Sequence, residues 1–159
     1  MSSSTDKPND APRPSSESDE HYATRFRRLV LTSDDLLTIV LKGHLLIEEQ
    51  VLQLRDRSVL APEYLKPCRI QSDLNIRLTM ALTGAAKGDR LWDFVLGLNK
   101  LRNKLAHHAE YPDMEKRVDC LLRRWSDKPI AEANRATELV DVLAFVFVCI
   151  HHGMDESSA

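Results

Sequence analysis

The sequence is poor in cysteine and glycine, and it has no cysteine pair of the Cys-x-x-C type. Its 159 residues include three cysteines, Cys68, Cys120 and Cys149, which lie far apart. An odd number of widely spaced cysteines predicts neither a disulfide framework nor a zinc knuckle, and it is typical of a reducing compartment. We therefore expect a cytoplasmic protein.

Long apolar runs are also missing. The most apolar segment, Leu139 to Ile150, is interrupted by Asp141. It is shorter than the ~20 residues that a membrane span needs, so we predict a core helix there and no contact with a membrane. The chain begins with Met1 and a polar stretch rather than with basic residues and an apolar run, which is not the pattern of a secretory signal.

A strong charge of either sign is absent as well, since the formal net charge is -2. Residues 1–20 hold two basic and five acidic residues, whereas the rest of the chain has 20 Lys and Arg against 19 Asp and Glu. A globally basic surface for nucleic acid is excluded, and any such binding must come from a local patch.

Strand signals are missing throughout, and helical periodicity continues from His21 almost without interruption. Residues 1–20 are rich in Ser, Pro and acidic side chains, so we predict a disordered tail. Residues 21–155 are predicted to form one domain, since two would each be too small to bury a good core. We predict an all-α, compact antiparallel bundle of five to six helices. Their expected ranges are 22–29, 35–57, 73–85, 88–108, 114–125 with Pro112 at the first helical position, and 129–152 after Pro129.

The second predicted helix has two polar residues in the middle of its apolar arc. His44 lies near the centre of that arc, and Glu48 follows one turn later on the same line. A buried carboxylate is costly unless a cation pairs with it. Arg102 of the fourth helix falls ~60° from the centre of that helix's apolar stripe. We predict a buried Glu48–Arg102 ion pair beside His44; the alternative is that Glu48 satisfies His44 and both only fix the packing.

The fourth predicted helix is polar on the face opposite its apolar stripe. Asn103 and His107 are four residues apart and lie on that polar face. Together with Arg102 and His107, three further cations make a basic patch that suits phosphate groups, namely Lys100, Lys104 and His108. The alternatives are an ordinary exposed histidine and a solvated charged face.

The segment Arg102-Asn103-Lys104-Leu105-Ala106-His107 resembles the signature of the HEPN superfamily (higher eukaryotes and prokaryotes nucleotide-binding domains). In that signature an Arg is followed by a polar residue, often Asn, and by a His at the fifth position after the Arg. The stretch from Gly43 to Glu49 is similar to the long early helix of bacterial members. The resemblance covers about residues 30–118 and implies a small helical bundle with the signature on a late helix.

The resemblance implies a metal-independent endoribonuclease whose site is shared by two protomers. His107 would exchange protons with the ribose 2′-OH or the leaving oxygen, and Arg102 would stabilise the phosphate. Asn103 would orient the His or the phosphate, while Glu48, beside His44, would hold Arg102. The product would be a 2′,3′-cyclic phosphate, with no metal or cofactor required. The expected partners are RNA, a second copy of the chain and, for a toxin or defence effector, a neutralising antitoxin.

Two branches of the superfamily give other expectations. Toxins paired with a nucleotidyltransferase antitoxin have a Tyr two residues after the His, whereas this chain has Ala109 there, so silencing by AMP transfer is not expected. The mannitol operon repressor has a similar bundle with a degraded signature in a regulatory protein. A non-catalytic helical regulator is therefore the alternative function, although Arg102, Asn103 and His107 are intact here.

No metal site is predicted. His107-His108 and His151-His152 are adjacent pairs, and neighbouring residues on a helix point ~100° apart. No Cys or acidic residue joins either pair at ligand spacing. His151 and His152 are better explained as cationic side chains that favour the carboxyl end of a helix.

Overall fold

The computed structural model describes residues 16–30, 35–107 and 111–153, and all regular structure in these ranges is helical. Six α-helices follow one another, and two short 3-10 turns, at Pro62–Tyr64 and Glu132–Asn134, lie between them. The helices are α1 (Ser16–Val30), α2 (Leu36–Ser58), α3 (Ser72–Thr83), α4 (Arg90–Ala106), α5 (Met114–Trp125) and α6 (Arg135–His152). The predicted all-α bundle is confirmed.

Aspartate caps position the two helices that carry the candidate site. The side chain of Asp35 accepts hydrogen bonds from the backbone N–H and the hydroxyl of Thr38, at 3.0 and 2.8 Å. These bonds with Thr38 lower the pKa of Asp35, so the cap is a carboxylate at neutral pH. Asp89 caps α4 in the same manner by accepting from the backbone N–H of Leu91 at 2.9 Å.

Three helix starts differ from the sequence prediction. Helix α1 begins at Ser16, within the segment predicted as a tail, because the acidic sequence there favours the amino-terminal end of a helix. Pro112 precedes the cap of α5 rather than occupying its first position, because Asp113 takes the cap in a left-handed conformation, with φ 69°. Helix α6 begins at Arg135 and not after Pro129, since a proline fixes its own φ but does not make the following residues helical.

The core is built around α6, which packs against α1, α2 and α5. The apolar segment from Leu139 to Ile150 contributes seven buried residues, as the core-helix prediction requires: Leu139, Val140, Leu143, Ala144, Val146, Phe147 and Ile150. Gly43 allows α2 to lie close to α6, because a Cβ at this position would be only 2.7 Å from Leu143 Cδ1 of α6. None of the described helices combines the length and apolar composition that crossing a membrane requires.

Contacts between side chains give the direction of α4 in the bundle. His44 of α2 contacts Asn99 of α4, and Glu48 and Val51 lie beside Val95, so the two helices are antiparallel. Gly97 of α4 contacts Leu121 of α5, while Lys104 shares a groove with Arg117, so this pair is antiparallel too. Helix α4 therefore lies between α2 and α5, with the end that carries the signature next to the start of α5.

Candidate active site

The polar face of α4 points away from the core, as its periodicity predicts. Asn103 and His107 are both exposed, and so are Lys100 and Lys104. His107 is the carboxyl-terminal cap of α4, and its backbone N–H donates to the carbonyl of Lys104 at 3.2 Å. Exposure leaves these four side chains free of any packing role, so they are available to a ligand or a partner. His108 lies outside the described residues.

Arg102 is half-buried at the border between the apolar stripe and the polar face. Its Nη1 donates to Oδ1 of Asn103, the next residue, at 3.1 Å. This bond holds the guanidinium on the same side of α4 as the polar face. Arg102 and Asn103 therefore form a contiguous pair, with His107 one helical turn beyond Asn103, ~6 Å along the axis.

The predicted buried pair between Glu48 and Arg102 is wrong. Glu48 is half-buried, with 29% of its side chain exposed, and its Oε2 lies 3.9 Å from Nδ1 of His44. No ion pair joins it to Arg102, which bonds to Asn103 instead. The wheel gives the direction of a side chain but not its reach, and the amide of a neighbouring residue offers the guanidinium a nearer acceptor. Glu48 does not hold Arg102. It lies near His44 without a hydrogen bond to it, since Nδ1 of His44 is buried and has no hydrogen-bond partner among the described residues.

His44 is buried, with 4% of its surface exposed, as its place in the apolar arc predicts. Its Nε2 donates to Oδ1 of Asn99 at 3.0 Å, which puts the proton of the neutral ring on Nε2. Burial lowers the pKa of His44 below 6.5, and the positive charge of Arg102 acts in the same direction. The bond to Asn99 and the charge of Glu48 oppose this shift without cancelling it. His44 is therefore neutral at pH 7 and does not supply a positive charge for binding a phosphate.

Asn99 is a site residue that the sequence prediction missed. It is 1% exposed and connects α4 to α2 through His44. On the wheel it stands ~120° from the centre of the apolar stripe, where a polar residue normally faces water. The signal that could have found it is the need of buried His44 for a hydrogen-bond partner. The His44–Asn99 bond fixes the rotation of α4 and hence the direction in which the signature faces.

A basic groove lies beside the polar face, between α4 and α5. It has a volume of about 190 Å³, and four cations line it: Lys100 and Lys104 from α4, and Arg117 and Arg124 from α5. The two lysines were predicted to bind RNA, whereas the two arginines were not. Their signal is the seven-residue spacing, which puts Arg117 and Arg124 on one face of α5. Among the described residues, no three His, Cys, Asp or Glu side chains are grouped as metal ligands would be.

The resemblance to the HEPN superfamily is carried by the signature on α4 and by the early helix α2. The structure brings Arg102, Asn103 and His107 to one end of α4 and buries His44 behind them. The signature residues that carry the resemblance are therefore grouped at one end of one helix. No protein-family model, no curated protein and no solved structure matches the chain.

Proposed function

We propose that the protein is a metal-independent endoribonuclease of the HEPN type, with Arg102, Asn103 and His107 as its catalytic residues. The observation that carries the proposal is the placement of these residues. All three lie at the carboxyl-terminal end of α4, two of them exposed, and Arg102 is fixed against Asn103 by a hydrogen bond. Phosphodiester transfer requires a cation and a proton-transfer group such as an imidazole. Both are present here on the side of α4 that faces away from the core.

The reaction uses the RNA as its own nucleophile. The 2′-oxygen attacks the adjacent phosphorus, the bond to the 5′-oxygen breaks, and the products are a 2′,3′-cyclic phosphate and a 5′-hydroxyl end. His107 removes the 2′-proton or delivers a proton to the departing 5′-oxygen. Arg102 binds the phosphate oxygens as negative charge develops on them, and Asn103 keeps the guanidinium in place.

A homodimer completes this site in the proposal. One imidazole cannot act as base and acid in the same step, whereas two copies of His107 supply both roles. The exposure of Asn103 and His107 supports an arrangement in which the polar face of α4 lies near a two-fold axis. Light scattering at micromolar concentration should give the mass of a dimer, and a monomer would contradict the composite site.

The direct test is incubation of the purified protein with single-stranded RNA in excess EDTA. We expect cleavage that leaves 2′,3′-cyclic phosphate ends, and a rate that falls ~10²–10⁴-fold in His107→Ala. His21→Ala is the matched control, because His21 is also exposed but lies on α1. Arg102→Gln should be inactive and yet remain folded, since Arg102 makes no buried ion pair.

The second candidate function is a non-catalytic helical regulator. Exposed leucines on α2 favour it, since Leu37 is 41% and Leu45 59% exposed on one flank of the helix, which suits a protein partner. If folded protein binds RNA or a protein partner and never cuts, the regulator is the better assignment. Cleavage that needs an added divalent metal would show that the proposed chemistry is wrong.

A further inference from the structure

The groove between α4 and α5 carries charge of one sign. Its cations Lys100, Lys104, Arg117 and Arg124 are all exposed, and no acidic residue lines it. The floor lies at Gly97, where Leu121 of α5 comes close to α4. A Cβ on Gly97 would lie 2.9 Å from Leu121 Cδ1, so glycine lets α5 lie directly against α4. The result is a channel with an apolar floor and basic rims.

Within the described ranges the groove cations have no acidic partner, unlike other cations of the surface. Arg77 pairs with Asp73, and Arg27 pairs with Asp141. Asp119, the acidic residue next to Cys120 on α5, is held by Arg135 through two bonds of 2.7 and 3.0 Å. The charge of the groove is therefore not neutralised by any acidic residue of the described ranges, and it is available to a polyanion.

We propose that the α4/α5 groove binds the phosphodiester backbone of single-stranded RNA and leads the strand to the polar face of α4 that carries Asn103 and His107. This inference rests on the proposed function, since RNA is the substrate named there. Lys100 lies three and four residues before Asn103 and Lys104, and His107 lies four and three residues after them, so the groove and the polar face are continuous on α4.

The dimensions of the groove suit a short stretch of strand. Arg117 and Arg124 are seven residues apart, which is ~10 Å along a helix. A stacked strand advances ~3.4 Å per nucleotide, so the groove spans about three phosphates. Exposed arginines act on such a strand through its charge and not through its sequence, so binding should be tolerant of base identity and sensitive to salt.

The first test measures binding of a fluorescent single-stranded RNA to His107→Ala protein, in which cleavage does not interfere. Arg117→Gln and Arg124→Gln are added together, and the matched control carries Arg27→Gln and Arg77→Gln, which remove the same charge from other helices. Each phosphate contact contributes a slope of about −0.7 to the dependence of log K on log salt. Loss of two contacts should therefore reduce the slope by about 1.4 and the affinity at 0.1 M salt by about 25-fold.

The second test uses the thiol in the groove as a reporter. Cys120 is exposed and lines the groove, whereas exposed Cys68 lies between α2 and α3. RNA should slow alkylation of Cys120 several-fold, as measured by mass spectrometry, and leave Cys68 unchanged. Equal protection of both thiols, or of neither, would overturn the assignment of the groove.

The outcomes separate this inference from the nuclease proposal. If wild-type protein never cuts but the groove variant loses RNA binding, the groove stands and the nuclease fails. If wild-type protein cuts and the groove variant binds and cuts as the control does, the groove is refuted and the nuclease stands. Competition by polyglutamate as effective as that by RNA of equal charge would also refute it, since the groove would then be a site for acidic protein.

Discussion

Replacing Asn99 with alanine should destabilise the fold, although Asn99 lies on a helix that alanine favours. The substitution removes Oδ1 of Asn99, which accepts the hydrogen bond from Nε2–H of His44. Because His44 is only 4% exposed, water does not take the place of this acceptor. A buried donor left without a partner costs about 1–3 kcal/mol of the free energy of unfolding. The loss of a side chain that is 1% exposed adds a cavity to this cost.

Asn103→Ala is the matched control, because Asn103 is the same residue type on the same helix, four residues later and exposed. Any gain in helix propensity is equal in both variants and cancels in the comparison. Thermal and urea unfolding should place Asn99→Ala at least about 1–3 kcal/mol below the control, which is the cost of the unpaired donor alone. At roughly 2–4 °C per kcal/mol for a chain of this size, the melting temperatures should differ by at least about 2–12 °C.

Equal stability of the two variants would refute the reasoning, since the His44–Asn99 bond would then contribute nothing to the free energy of unfolding. A double-mutant cycle with His44→Ala gives an independent check. If the bond is the cause, the two substitutions together should cost less than their sum, with a coupling free energy of about 0.5–3 kcal/mol. Additive effects would assign the loss to packing alone.

Three further predictions concern stability. The pKa of His44 is lower in the fold than its unfolded value of 6.5, so the stability present above pH 6.5 is lost as the pH falls from 6.5 to the folded pKa, by at most about 1.4 kcal/mol per pH unit. Urea titrations should show this acid dependence in wild type and not in His44→Gln. Glu48→Gln should cost less than about 1 kcal/mol in thermal unfolding, because Glu48 is partly exposed and 3.9 Å from its partner; a loss of 3 kcal/mol would point back to Arg102. Arg55→Met should cost about 1–3 kcal/mol, because the guanidinium of Arg55 is buried and bonds to Asn75, whereas exposed Arg57→Met should cost less.

The fold was predictable because its signals are local. The apolar stripe of α4 and the apolar segment of α6 can each be identified within a single helix, and the structure confirms both. The starts of α5 and α6 were not predictable from proline alone. There the backbone of Asp113 and the 3-10 turn before Arg135 decide where each helix begins.

The site was only half predictable, because its remaining features depend on how two helices meet. Exposure of Asn103 and His107 follows from the period of α4. The His44–Asn99 bond and the groove lined by Arg117 require the distance and rotation between helices, which no helical wheel contains. The failed Glu48–Arg102 pair has the same origin, since two side chains can face a shared core and still find other partners.

Translation delivers α6 after the five other described helices, and this order bears on when the protein can act. Since α6 fills the space against α1, α2 and α5, the nascent chain cannot complete its core before residue 135 has left the ribosome. Helices α2 and α5, which support the surface of α4 that carries Arg102 and His107, are incompletely packed until then. We expect chains stalled before α6 to be protease-sensitive and inactive toward RNA. On the proposed function, a nascent copy would thus be unable to cut the message from which it is being made.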